Sequence, residues 1–231
     1  MCKDKLTGLL LGMILGDYLM RVGVIQASTR SDINDLLFQS VQKAVKGLHE
    51  VVNFGMFPNE AANFSYVEVA VMVSLLIETQ SLDFVVTGCS SGQGMMLACN
   101  SLPGLCCGFI QTPQDAYLFG RINNGNVVSL PLGLNFGWSG ELNLQYTLGK
   151  LFEDEFGCGY PKEDAKRKRQ DADNLVKLAT ITKRSFSDIL DQLDQNLLRK
   201  ILCRESFYNY LMTNGKNQLL LEKLSAIKLT I

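Results

Sequence analysis

The chain has 231 residues, 22 Lys and Arg against 23 Asp and Glu, a formal net charge of −1 and 47% hydrophobic residues. That length holds one α/β domain with a good core and a small helical addition, and a near-neutral surface excludes the basic footprint of a nucleic-acid partner. The seven cysteines form no C-x-x-C pair and His49 is the sole histidine, which argues against a zinc centre and for reduced thiols in a cytoplasmic protein.

Lys3 and Lys5 precede an apolar run at 6–15, the outline of a secretory signal, but no small-residue cleavage site follows. The run is also too short and glycine-interrupted for a membrane span of about twenty apolar residues, so no membrane partner is expected. Residues 1–19 read as an N-terminal extension or a misassigned start, with a signal peptide as the alternative. From Met20 on, strand-like runs at 22–26, 51–54, 84–87, 106–110 and 127–130 alternate with helical ones, which predicts a parallel sheet. The first helix carries Ile33, Leu36, Leu37, Val41, Ala44, Val45 and Leu48 at helical spacing, with Ser31 or Asp32 available as a cap. His49 falls in the turn leading to the second strand and reads as structural. The second helix, Tyr66–Glu78, is apolar nearly all round. It must be covered on more than one side, by the C-terminal region or by a second subunit, and dimerisation is the preferred explanation.

The junction after the third strand is where chemistry is expected. Between the apolar run at 84–87 and a helix from Met95 lie Gly88-Cys89-Ser90-Ser91-Gly92-Gln93-Gly94. Gly92 and Gly94 permit a tight turn, so free amides at the helix start can face negative charge. Cys89 stands beside them as a candidate base or nucleophile, since a helix N-terminus favours thiolate, although a lone strand-end cysteine is more often a packing residue. The glycine spacing is not the G-x-G-x-x-G dinucleotide fingerprint. Asp115 reads as a cap of the fourth helix. The charged block at 162–169 reads mainly as a solvated helix start, and the runs at 175–181, 189–202, 207–211 and 219–227 as short amphipathic helices forming a tail.

Three further segments fall around this junction in a recognisable order. His49-Glu50-Val51-Val52-Asn53-Phe54-Gly55, the stretch from Cys89 to Asn100, Pro103-Gly104 and Ile122-Asn123-Asn124-Gly125-Asn126-Val127-Val128 resemble the ribose-5-phosphate isomerase B and galactose-6-phosphate isomerase family over residues 20–160. Gly137-Trp138, Gly157-Cys158-Gly159-Tyr160-Pro161 and Asp194-Gln195-Asn196-Leu197-Leu198 are similar to a longer branch with an added helical region, here residues 161–231. The resemblance implies a three-layer α/β/α sandwich with a five-stranded parallel Rossmann-like sheet, a C-terminal helical extension, and assembly as a homodimer or higher homo-oligomer.

It further implies an aldose–ketose isomerase acting on a pentose or hexose phosphate of the ribose-5-phosphate or galactose-6-phosphate type through a cis-enediolate, with no metal or organic cofactor. On that reading Cys89 is the base and Ser91 assists ring opening. Ser28, Ser90, Gly92, Gln93, Gly94, Gln111, Thr112 and Asn126 bind the sugar, and Arg121, Lys162 and Arg167 bind the phosphate, the last two often across a dimer. The chain also departs from the family pattern. Ala27-Ser28 stands for an Asp-His pair, Gln111 for a histidine, Ser90 and Ser91 for a Gly-Thr pair, and Gly120 for an arginine, with Arg121 one place on. Glutamine cannot shuttle a proton near neutral pH, and Ser90 strains the loop if that position needs positive φ. These departures keep a second reading open, a catalytically degenerate sugar-phosphate-binding subunit that pairs with an active paralogue. A flavodoxin-like nucleotide binder is a distant third, with a permissive fold and the wrong motif.

Overall fold

The computed structural model describes residues 19–134 and 136–230, so the reading of the N-terminal segment lies outside the described residues. Five strands, β1 (Arg21–Ile25), β2 (Glu50–Gly55), β3 (Phe84–Cys89), β4 (Cys107–Phe109) and β5 (Val127–Pro131), form one sheet in the order β2-β1-β3-β5-β4, with every pairing parallel. Val22, Val24, Val85, Val86, Val127 and Val128 are all wholly buried, because helices cover both faces of the central strands.

One face carries α1 (Asn34–Val45), α4 (Pro113–Leu118) and α5 (Gly140–Leu151), the other α2 (Tyr66–Glu78) and α3 (Gln93–Ser101). The chain leaves β1 toward β2 and leaves β3 toward β4, in opposite directions across the sheet. The C-terminal ends of β1 and β3 therefore border the crevice where open α/β sheets take their ligands.

Five helices follow the sandwich: α6 (Ala165–Thr182), α7 (Phe186–Leu190), α8 (Gln195–Leu202), α9 (Glu205–Asn214) and α10 (Gln218–Thr230). The predicted run at 189–202 is broken, since Asp194 accepts from the amides of Asn196 and Leu197 and starts α8 afresh. These helices also correct the account of α2. Its buried run from Val69 to Leu76 shares one core with Phe186, Leu190, Leu198, Ile201, Leu202, Phe207, Leu211 and Leu224, so the extension supplies the cover assigned to a second subunit. The same helices brace the loop after β2. Arg204 holds Glu60 through two contacts, at 2.6 and 3.2 Å, and Lys200 reaches both the Asn63 carbonyl and Glu68. Among the described residues, no helix is long and apolar enough to cross a membrane.

Candidate active site

Cys89 is the last residue of β3, level with Pro131 of β5, and is 7% exposed. Its carbonyl accepts from Leu132 N at 2.9 Å and the Ser90 carbonyl accepts from Gly133 N at 2.8 Å, which fixes the loop after β5 against the strand end. Gly92 is the N-cap of α3 at φ 75°, ψ −24°, and its carbonyl accepts from the buried Ser129 hydroxyl at 2.7 Å and from Met96 N at 3.1 Å. Positive φ therefore falls on Gly92 and not on Ser90, so the serine introduced there carries no left-handed strain. Among the described residues, nothing accepts from the amides of Ser91, Gly92, Gln93 or Gly94. These are the orphan donors of a helix start, and they follow Cys89 directly in the chain.

Gly92 has no room for a side chain. A Cβ there would lie 2.6 Å from the Phe109 ring and 2.9 Å from the Leu130 carbonyl carbon. Gly92→Ala is expected to destabilise the fold and to cut turnover more steeply than the fall in melting temperature explains, because it displaces the amides; kinetics beside thermal melting check this.

On the β1 side, Ala27 N donates to the Gly88 carbonyl at 3.0 Å, which brings the segment after β1 directly against the Cys89 strand. Ser28 Oγ accepts from Phe64 N at 2.7 Å and Ser28 N donates to the Phe64 carbonyl at 3.0 Å, so Ser28 anchors the loop that precedes α2. Ser90, Ser91 and Gln93 are exposed at the mouth, and Gly94 lies against the Tyr66 ring. Gln111 is exposed at the end of β4. The Thr112 hydroxyl caps α4 in a reciprocal box with Asp115, which also accepts from Gln111 N.

Four predicted residues are elsewhere in this chain. Asn126 precedes β5, whereas Cys89 is level with the last residue of that strand, roughly five residues or 16 Å farther along. Its amide is used up in the turn, accepting from Cys106 N at 2.9 Å and donating to the Gly104 carbonyl at 2.7 Å, at the end of the sheet away from the Cys89 loop. Arg121 is fully buried in the turn Phe119–Asn123, between the Tyr117 and Phe156 rings, and donates to the Leu151 carbonyl at 2.9 Å, which removes it from any phosphate in the mouth. Burial pushes its guanidinium pKa down. Lys162 is exposed in a short turn before α6, and Arg167 on α6 pairs with Asp164 at 2.9 Å and Asp171 at 3.3 Å. Neither contacts the Cys89 loop of its own chain. His49 Nδ1 accepts from Met20 N at 3.4 Å with its ring edge-on to Phe152, a structural setting.

Two features were missed. A buried amide chain runs behind the mouth, in which Gln26 Nε2 donates to the Met56 carbonyl at 2.7 Å, Asn34 Nδ2 donates to Gln26 Oε1 at 2.9 Å, and Asn34 and Asn53 exchange bonds at 2.9 and 3.1 Å. It satisfies side chains that would otherwise be buried unpaired. The second is Arg30, in the turn Ser28–Ile33 that touches β3, with its guanidinium 5.9 Å from the Phe136 ring centroid. A readable signal existed for it: Arg30 is the only Lys or Arg in the segments 26–33, 56–65, 90–92, 110–112 and 132–139 that follow the strands.

A five-stranded parallel sheet whose strand order switches between β1 and β3, with Cys89 and an unpaired helix start at that point, is a Rossmann-like α/β architecture. The chain belongs to the ribose/galactose isomerase family, whose model matches residues 24–147. It is similar to a solved 4-deoxy-L-threo-5-hexosulose-uronate ketol-isomerase complexed with a tartrate, at 38% identity over 90% of this chain and 99% of that one, with a TM-score of 0.86. A ribose-5-phosphate isomerase from Vibrio parahaemolyticus is 31% identical over 91% of this chain and all of that one, also with a TM-score of 0.86. The type B ribose 5-phosphate isomerase of Trypanosoma brucei, at 19% identity over 70% of this chain and 99% of that one and a TM-score of 0.58, shares the fold. No curated protein matches.

Proposed function

We propose that this chain is an aldose–ketose isomerase of an acidic sugar, with Cys89 as the base that moves a proton between C2 and C1. The observation that carries this reading is the place of Cys89 at the C-terminal end of β3, directly before the unpaired amides from Ser91 to Gly94, at the crevice between β1 and β3. The thiolate takes the proton from C2 of the open-chain aldose. The C2–H electron pair becomes the C1=C2 bond, and the carbonyl pair moves onto O1, where the amides hold the negative charge. A proton then passes from O2 to O1, with the Ser91 hydroxyl beside the path. The thiol returns its proton to C1 as C2=O forms, so the reaction needs no redox partner.

Similarity to a uronate ketol-isomerase over nearly the whole chain supports a carboxylate-bearing substrate. So does the loss of Arg121 to the interior. A ribose-5-phosphate or galactose-6-phosphate substrate is the second reading, supported by the ribose-5-phosphate isomerase of similar length and fold. On that reading Lys162 and Arg167 come from a second copy. Exposed apolar side chains around the mouth, Phe57, Tyr66, Val67, Leu97, Leu134 and Trp138, favour such a copy packing there.

Ketose formation by the purified chain from 4-deoxy-L-threo-5-hexosulose-uronate, ribose 5-phosphate and galactose 6-phosphate tests the proposal. Turnover of the uronate with the highest kcat/KM is the expected result. A chain inactive on all three that gains activity only with a paralogous subunit contradicts it and returns the degenerate-subunit reading.

A further inference from the structure

The mouth holds two different provisions for negative charge. The α3 amides serve the oxygen that becomes anionic during reaction, and the substrate's permanent charge needs a separate, permanent cation. Arg30 is the only basic residue in the segments that follow the strands. Its position is set by the backbone: Arg30 N donates to the Ala27 carbonyl at 3.0 Å, and Ala27 N donates to Gly88, the residue before Cys89. At φ −132°, ψ 32° it interrupts the helical turn in which it sits.

The guanidinium is already engaged with a carboxylate in a two-point grip. Nε is 3.1 Å from Asp32 Oδ1 and Nη2 is 2.9 Å from Oδ2, while the third nitrogen, Nη1, has no partner among the described residues and is not closed off from solvent. The two members of the pair differ sharply in exposure: the arginine side chain is 18% exposed and the aspartate 63%. A local pair this open contributes little to stability. Packing over Phe136 does more, since it holds the planar group in one orientation before anything binds and so reduces the ordering cost of binding.

We propose that Arg30 receives the carboxylate of the substrate, and that Asp32 is its resting partner, displaced or shifted as the acid group arrives. The inference rests on the proposed isomerase reading. It adds the residue that selects an acidic sugar and a competing carboxylate that tempers its affinity. A guanidinium matches a carboxylate edge with two parallel N–H···O bonds, and the Arg30–Asp32 pair displays that same match.

The test uses the full chain and four proteins: wild type, Arg30→Gln, Arg30→Lys and Asp32→Asn. KM and kcat are measured on 4-deoxy-L-threo-5-hexosulose-uronate, and tartrate binding is measured by calorimetry as a readout independent of turnover. Arg30→Gln is expected to raise KM and weaken tartrate about tenfold or more, with kcat reduced less than KM rises, and Arg30→Lys to recover part of the loss. Asp32→Asn is expected to bind tartrate several-fold more tightly, a gain that a structural role for the pair does not produce. Native-like melting of Arg30→Gln with unchanged KM and tartrate affinity overturns the proposal. If Arg30→Gln does not fold, unchanged or weaker tartrate binding by Asp32→Asn overturns it. Wild type inactive on every sugar yet binding tartrate in an Arg30-dependent way sinks the isomerase reading and leaves the anion site standing.

Discussion

Cys89→Ala is expected to lower kcat by about a hundredfold to ten-thousandfold while leaving the chain folded. The size follows from general-base catalysis, which contributes about that factor when the base is removed and the remaining groups stay in place. The thiol is the only titratable group at the β3–α3 junction, because Ser90, Ser91, Gly92, Gln93 and Gly94 carry none. The backbone that holds the junction does not depend on the sulfur. Leu132 N bonds to the Cys89 carbonyl, Gly133 N to Ser90, and Ser129 to Gly92. Circular dichroism and melting of the variant, beside its turnover, separate the chemical loss from a structural one. Activity within a few-fold of wild type removes Cys89 from the mechanism.

The second large effect is on stability and lies far from the thiol. Phe207→Ala on α9 is expected to cost about 3–5 kcal/mol and to lower the melting temperature by about ten degrees. Phe207 is wholly buried and edge-on to Phe54 of β2, with ring centroids 6.0 Å apart, and it shares the α2 core with Leu198, Ile201 and Leu211. A dispensable appendage would lose an aromatic side chain with almost no change in melting. The same core holds α8 and α9, and through Arg204 and Lys200 it braces the loop from Gly55 to Ser65 that forms one wall of the mouth. Thermal melting of Phe207→Ala reads the effect directly.

The sequence was legible where a local pattern and its burial coincide. The five apolar runs became strands displaced by a residue or two at most of their ends, and β3 and β5, buried throughout, have no polar alternation to blur them. Helix α2 matched its predicted span, with a reciprocal Ser65–Glu68 cap at its start. The Cys89 junction was legible because glycine at a strand-to-helix turn has few other uses, and φ 75° at Gly92 is such a use.

Arg121 was misread for a geometric reason. One residue along a helical segment turns a side chain through about 100°, enough to carry the guanidinium from the surface into the space between Tyr117 and Phe156. Asn126 was misread because resemblance assigns a residue to a site without fixing which end of its strand it occupies, and it lies at the end away from Cys89. Arg30 went unnoticed because it stands in a polar stretch without periodicity. What marks it is the topology that gathers the segments after the strands, and that is not a local property of sequence. The cover of α2 was ambiguous for a similar reason, as an all-apolar helix states that it is covered and not by what.

Proton NMR in D₂O most directly tests the claim that Cys89 moves the C2 proton of an acidic sugar. Wild type and Cys89→Ala are each incubated with 4-deoxy-L-threo-5-hexosulose-uronate, and the C2–H signal is followed. The account predicts that wild type replaces C2–H and places deuterium at C1 of the ketose product, and that Cys89→Ala does neither while remaining folded. Exchange by Cys89→Ala at the wild-type rate, or ketose formed by wild type with undiluted transfer of hydrogen by hydride shift, would contradict it.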